Sequence, residues 1–107
     1  MTTKEYQTEC LRTNNVPTRE DMIINGVMGL CGESGEVMDV IKKWYYQGHP
    51  LDTEKVVEEI GDVLWYICSI LTGLNVALGD AMENNIKKLK KRYPHGFSSE
   101  DSIHRLN

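Results

Sequence analysis

Between Arg19 and Tyr46 the apolar residues Ile23, Val27, Leu30, Val37, Ile41 and Trp44 recur mostly at three- or four-residue steps. That is the period of a helix, without the alternation of a strand. Thr18 is placed to cap its start, Glu20 and Asp21 suit its first turn, and Gly48 and Pro50 supply a stop. A further helix runs from a cap at Asp52 or Thr53 to about Leu74, with Val56, Ile60, Val63, Ile67, Ile70 and Leu74 on its main apolar face. Two shorter helices flank this pair. Thr2 and Glu5 have capping-box spacing ahead of the first, which carries Tyr6, Cys10 and Leu11 and gives way to a loop at residues 14–17. The last starts near Asp80 and ends before Pro94, with Met82, Ile86 and Leu89 as its core line. Four helices in sequence predict an all-α fold, a four-helix bundle-like module occupying residues 1–107 as a single domain.

Val57, Leu64 and Leu71 broaden the stripe of the third helix beyond that of a surface helix. A helix this apolar is central, covered by its own chain or by a second subunit. Residues 63–79 carry no charge, but the run is short for a membrane span and includes Ser69, Thr72, Gly73 and Asn75, so it reads as a buried helix and turn. Gly26, Gly29, Gly32 and Gly35 recur every third residue of the second helix. Each weakens the helix by roughly 1 kcal/mol relative to Ala while admitting a neighbouring backbone or a ligand, with close helix packing the main reading.

The 12 basic and 16 acidic side chains leave a formal charge of −4, which argues against a general nucleic-acid or membrane-surface binder. Cys10, Cys31 and Cys68 are an odd number without a CxxC pair, and the N-terminus lacks the apolar run of a signal peptide. Both point to a reducing, cytoplasmic setting.

Two carboxylate pairs change this picture: Glu33 with Glu36 in GLCGESGEV, and Glu59 with Asp62 in VEEIGDVLWY. At about 100° per residue Glu33 falls inside the apolar arc of Val37, Val40, Ile41 and Trp44, and Glu36 at its edge. One such pair is ordinarily a solvated face. Two pairs on consecutive long helices put a metal site on level terms with that reading, because converging carboxylates repel unless a cation neutralises them. Carboxylate oxygens suit Mg2+ or Mn2+, whereas a ferritin-like di-iron centre would need a Glu-x-x-His that neither pair has. His49, His95 and His104 read as surface residues.

Asn85, Lys88 and Arg92 share one face of the last helix and form a candidate phosphate clamp. Asn85 lies beside the predicted core line, where a buried amide must find partners. Lys87, Lys90 and Lys91 read instead as cations opposing the helix dipole. Lys43 and Trp44, at the end of the second helix, are further substrate-facing candidates, with Trp44 placed to stack on a nucleobase and Trp65 read as core.

Taken in order, Tyr6-Gln7, GLCGESGEV at 29–37, Lys42-Lys43, EEIGDVLWY at 58–66 and NIKKLKKRYPHGF at 85–97 resemble the MazG-type nucleoside triphosphate pyrophosphohydrolases of the all-α NTP pyrophosphatase superfamily. The likeness runs from Tyr6 to about Arg105. It implies a helical module assembling as a homodimer or homotetramer, and Mg2+-dependent hydrolysis of an NTP or dNTP to the monophosphate and pyrophosphate, with nucleotide-pool cleansing as one use. It also implies that Glu33, Glu36, Glu59 and Asp62 are metal ligands and that Asn85, Lys88 and Arg92 contact the nucleotide. Glu36, at the edge of the arc, is the residue expected to accept the proton of the attacking water. The alternatives are a phosphoribosyl-ATP pyrophosphohydrolase and a non-catalytic helical module that binds nucleotide or protein.

Overall fold

The computed structural model describes residues 1–105. All four predicted helices are present, as α1 (Thr3–Cys10), α2 (Arg19–Gln47), α3 (Thr53–Gly73) and α4 (Leu78–Arg92). A turn of 3-10 helix follows α1, and a short α5 (Ser99–Ile103), capped by Ser98, was not foreseen. Among the described residues there is no strand, and no single helix is long and apolar enough to cross a membrane.

The caps are those the sequence marks. Thr2 Oγ1 accepts from Glu5 N–H, Thr18 Oγ1 from Asp21 N–H and Asp52 Oδ1 from Lys55 N–H, at 3.0–3.1 Å. Gly48, at φ +73°, ends α2 in a left-handed turn that lets His49 N–H reach the Lys43 carbonyl. The short loop that follows turns α3 back along α2, and this antiparallel hairpin is the body of the fold.

Two of the four spaced glycines explain how closely it packs. A Cβ on Gly26 would lie 2.6 Å from Ile70 Cγ1, and one on Gly29 would enter the Tyr66 ring. Across the same seam, a Cβ on Gly73 would stand 2.9 Å from the Arg19 carbonyl oxygen. Gly32 and Gly35, by contrast, face open space. Gly73→Ala is therefore expected to destabilise the protein by about 1–3 kcal/mol through overpacking against backbone. Gly32→Ala should be neutral or gain up to about 1 kcal/mol in helix propensity. Thermal midpoints of the two variants check both signs.

Polar side chains fasten the remaining segments. Asn14 Nδ2 donates to Ser69 Oγ, which donates to the Met22 carbonyl, tying the first loop to both hairpin helices. Gln7 caps α4 from a distance: its Oε1 accepts from Leu78 N–H at 2.8 Å while its Nε2 donates to Val76 O and Thr72 Oγ1. This is why α4 begins at Leu78, two residues before the Asp80 start read from local signals.

α3 and α4 meet at 99°, and α4 packs mainly on α1. Its predicted core line is consequently uncovered within the chain, with Met82 and Ile86 about half exposed. Asn85, expected to be a buried amide, is exposed for the same reason.

Candidate metal and nucleotide site

The antiparallel register that brings Gly29 to Tyr66 also brings Glu33, one turn further along α2, to Glu59 and Asp62 on α3. One oxygen from each of the three lies within 4.8 Å of the others. Glu33 is half-buried, Glu59 is 6% exposed, and Asp62 opens to solvent. Three acids at this spacing cannot all ionise freely in the absence of a cation. A proton is shared instead. Glu33 donates a hydrogen bond to Glu59, which, with partial burial and the neighbouring charges, pushes its pKa up to about 7. Glu59 is held down by that same hydrogen bond and then by Lys55, whose Nζ lies 2.8 Å from its Oε1. Glu33 and Glu59 thus hold one proton between them, which favours the Glu33 oxygen.

Lys55 was not singled out in the sequence, although its i, i+4 spacing to Glu59 was visible there. It supplies one positive charge to a set of acids that needs more, so the donor set fits a hard divalent cation. Glu36 stands outside the three-oxygen cluster. It is exposed, one turn along α2, and close enough for its charge to act on Glu33, Lys43 and Lys55.

A cleft of about 370 Å³ opens beside the carboxylates, within the size range of small-ligand sites, and is lined by Thr13, Glu33, Asp62, Trp65 and Tyr66. Trp65, read from the sequence as core, is half-buried here. Its Nε1–H donates to Thr13 Oγ1 at 2.8 Å, and its ring stands edge-on to Tyr66 at 5.1 Å. Thr13 carried no sequence signal, since only the tertiary fold brings the end of the first segment to this place.

The other predicted site residues lie elsewhere. Lys43 is ion-paired to Asp39 at 2.8 Å and lines a second hollow, around the α2–α3 turn, with Val40, His49, Asp52 and Lys55. Trp44 is partly exposed and meets Tyr45 edge-on. Asn85 and Lys88 are exposed on α4 and Arg92 is half-buried; none of the three lines the cleft beside the acids.

An all-helical hairpin with an acidic centre between its two long helices thus defines the class of this chain. The sequence profile of the MazG nucleotide pyrophosphohydrolase domain matches residues 25–97, from before the first carboxylate pair to the end of the basic run, and the chain belongs to that family. The Gene 37 protein of Mycobacterium phage L5 is 33% identical over 73 residues, which cover 64% of this chain and 64% of the phage protein. The match therefore spans less than two thirds of that relative's length. No solved structure matches the chain.

Proposed function

We propose that the protein hydrolyses a nucleoside or deoxynucleoside triphosphate to the monophosphate and pyrophosphate in a Mg2+-dependent reaction, with Mn2+ as a substitute. The observation that carries this reading is the convergence of Glu33, Glu59 and Asp62 within 4.8 Å, with one proton standing in for missing positive charge.

These three residues would hold the ion. A divalent cation there supplies Lewis acidity toward phosphoryl oxygens and water. The chain's own groups do the rest. Glu36, exposed at the edge of the cluster, takes the proton of the attacking water on a carboxylate oxygen. Lys55 keeps Glu59 ionised. Trp65 and Tyr66 wall the cleft and exclude water from one side of it. Asn85, Lys88 and Arg92 bind phosphate oxygens, and Lys43 and Trp44 contact the nucleotide at the hairpin end. A panel of nucleoside triphosphates scored for both products tests the proposal, and tight binding without turnover in saturating Mg2+ and Mn2+ would sink it in favour of a binding module.

The active form is a homodimer or homotetramer. A 12.2 kDa folded monomer exposes about 6,100 Å², whereas this chain exposes 8026 Å². The excess is more than twice the roughly 800 Å² that one partner gives to a standard interface. The radius of gyration, 16.9 Å, likewise exceeds the ~13 Å of a compact chain this long. Light scattering should report a mass of at least two chains.

A further inference from the structure

Two buried thiols meet where α1 packs on α3. Cys10, at the end of α1, is the one buried residue of that helix and is 8% exposed, whereas Cys68, well inside α3, is 1% exposed. Cys68 Sγ–H donates a hydrogen bond to the Cys10 sulfur, and the Tyr6 hydroxyl donates to the same atom. Bonds just beyond the pair hold the two segments in register. Thr13 Oγ1 donates to the Cys10 carbonyl and accepts from Trp65, while Asn14 donates to Ser69, the residue after Cys68.

A single buried cysteine behaves as a small apolar filler. Two in contact have a chemistry that neither has alone, because their sulfurs can join. We propose that Cys10 and Cys68 are a redox pair, which a peroxide converts to a disulfide that staples α1 and the Thr13 wall of the cleft to α3. The proposal does not rest on the pyrophosphohydrolase reading.

Access sets the order of events. Cys10 is the more exposed sulfur, and hydrogen peroxide is small enough to use so narrow an opening. The Cys10 thiolate bonds to one peroxide oxygen, the O–O bond breaks, and the other oxygen leaves as water with the proton that Cys10 gave up. Cys68 then attacks the resulting sulfenic sulfur. The S–S bond forms, the S–O bond breaks, and the departing hydroxide takes the Cys68 proton to become a second water. Two thiols have lost two electrons, and one peroxide has been reduced to two waters. Burial, reinforced by the adjacent Cys10, pushes the Cys68 thiol up to about 11, which keeps it from competing as the first nucleophile. An S–S bond is only about 2.05 Å long, and α1, an eight-residue helix with one buried residue, can make the small shift that closing it requires.

The test uses the chain with Cys31→Ser, since exposed Cys31 would otherwise react on its own account. After a slight excess of hydrogen peroxide, followed by unfolding and alkylation, both remaining thiols are expected to be blocked. A digest should contain one pair of fragments joined through Cys10 and Cys68. The bond closes a long loop, so the thermal midpoint should rise by roughly 10–20 °C and fall back on adding dithiothreitol. Cys10→Ala and Cys68→Ala should each lose that gain, and in Cys10→Ala the Cys68 thiol should remain open to alkylation after peroxide. The pair is overturned if both thiols stay alkylatable under peroxide that consumes Cys31 of the wild-type chain. It is equally overturned if Cys10 gains oxygen atoms while Cys68 is untouched. A disulfide that forms without raising the midpoint overturns the staple.

Discussion

Glu59→Gln is expected to lower pyrophosphate release at least about a hundredfold while the helices remain formed. Loss of a mere outer-shell partner of a metal typically costs ten- to a hundredfold, and Glu59 sits deeper than that, as the buried member of the three-acid cluster. The substitution keeps the shape of the side chain but removes the charge that both a cation and Lys55 use. Unchanged turnover would remove the metal-site proposal. Circular dichroism guards against the trivial outcome, because the amide stays isosteric inside the hairpin and helicity should be retained. The companion Glu33→Gln should also lose activity, yet above pH 7 its metal-free form is expected to melt no lower than wild type. An amide at that position donates to Glu59 without needing a proton, and the repulsion among the acids falls.

The second large effect is a pair of opposed pH dependences: metal-free stability falls as the pH rises, while the gain in stability on binding the metal grows. Glu33 in the folded, metal-free protein has its pKa pushed up to about 7, above the usual glutamate range, so the folded state holds a proton that the unfolded chain has released. The stability this confers is fully present below the unfolded value and is lost as the pH rises through 7. The metal-free thermal midpoint should therefore decline from about pH 5 to pH 8, and Glu33→Gln should flatten that slope. A divalent cation must displace the same proton. Its apparent affinity is expected to be about tenfold weaker at pH 6 than at pH 8, and the rise in thermal midpoint on adding Mg2+ correspondingly smaller. Melting curves at the two pH values, with and without the ion, read both signs. An equal Mg2+ gain at pH 6 and pH 8 would contradict the shared-proton account of Glu33 and Glu59.

Much of the fold was legible because it is local. Thr2, Thr18 and Asp52 cap the helices they were expected to cap, since a side-chain oxygen reaches an N–H three residues on whatever surrounds it. The carboxylate pairs were legible for a related reason: helical spacing puts Glu59 and Asp62 on one face and Glu33 on a core stripe. Helical phase set Glu36 at the edge of the apolar arc, but not outside the set of acids that converge. Its place outside the cluster depends on how far α3 has slid along α2, and a shift of one turn would exchange Glu33 and Glu36.

The sequence by itself determined four helical segments, the side-chain caps of the first three and the helical spacing of the carboxylates, all of which depend on neighbours within one or two turns, and the order of its motifs carried the family likeness. Tertiary structure decided the rest. Gly26, Gly29 and Gly73 set the approach and slide of α3 on α2, and so which acids share a proton. Gln7 fixed the start of α4 from across the chain, and the 99° bend carried the Asn85, Lys88 and Arg92 face away from the cleft and left Met82 and Ile86 uncovered. It also moved Trp65 from presumed core to the wall of the site, against Thr13. The physical reason is the same in each case. Periodicity tells which side of a helix is apolar, but what covers that side is settled only when the helices pack.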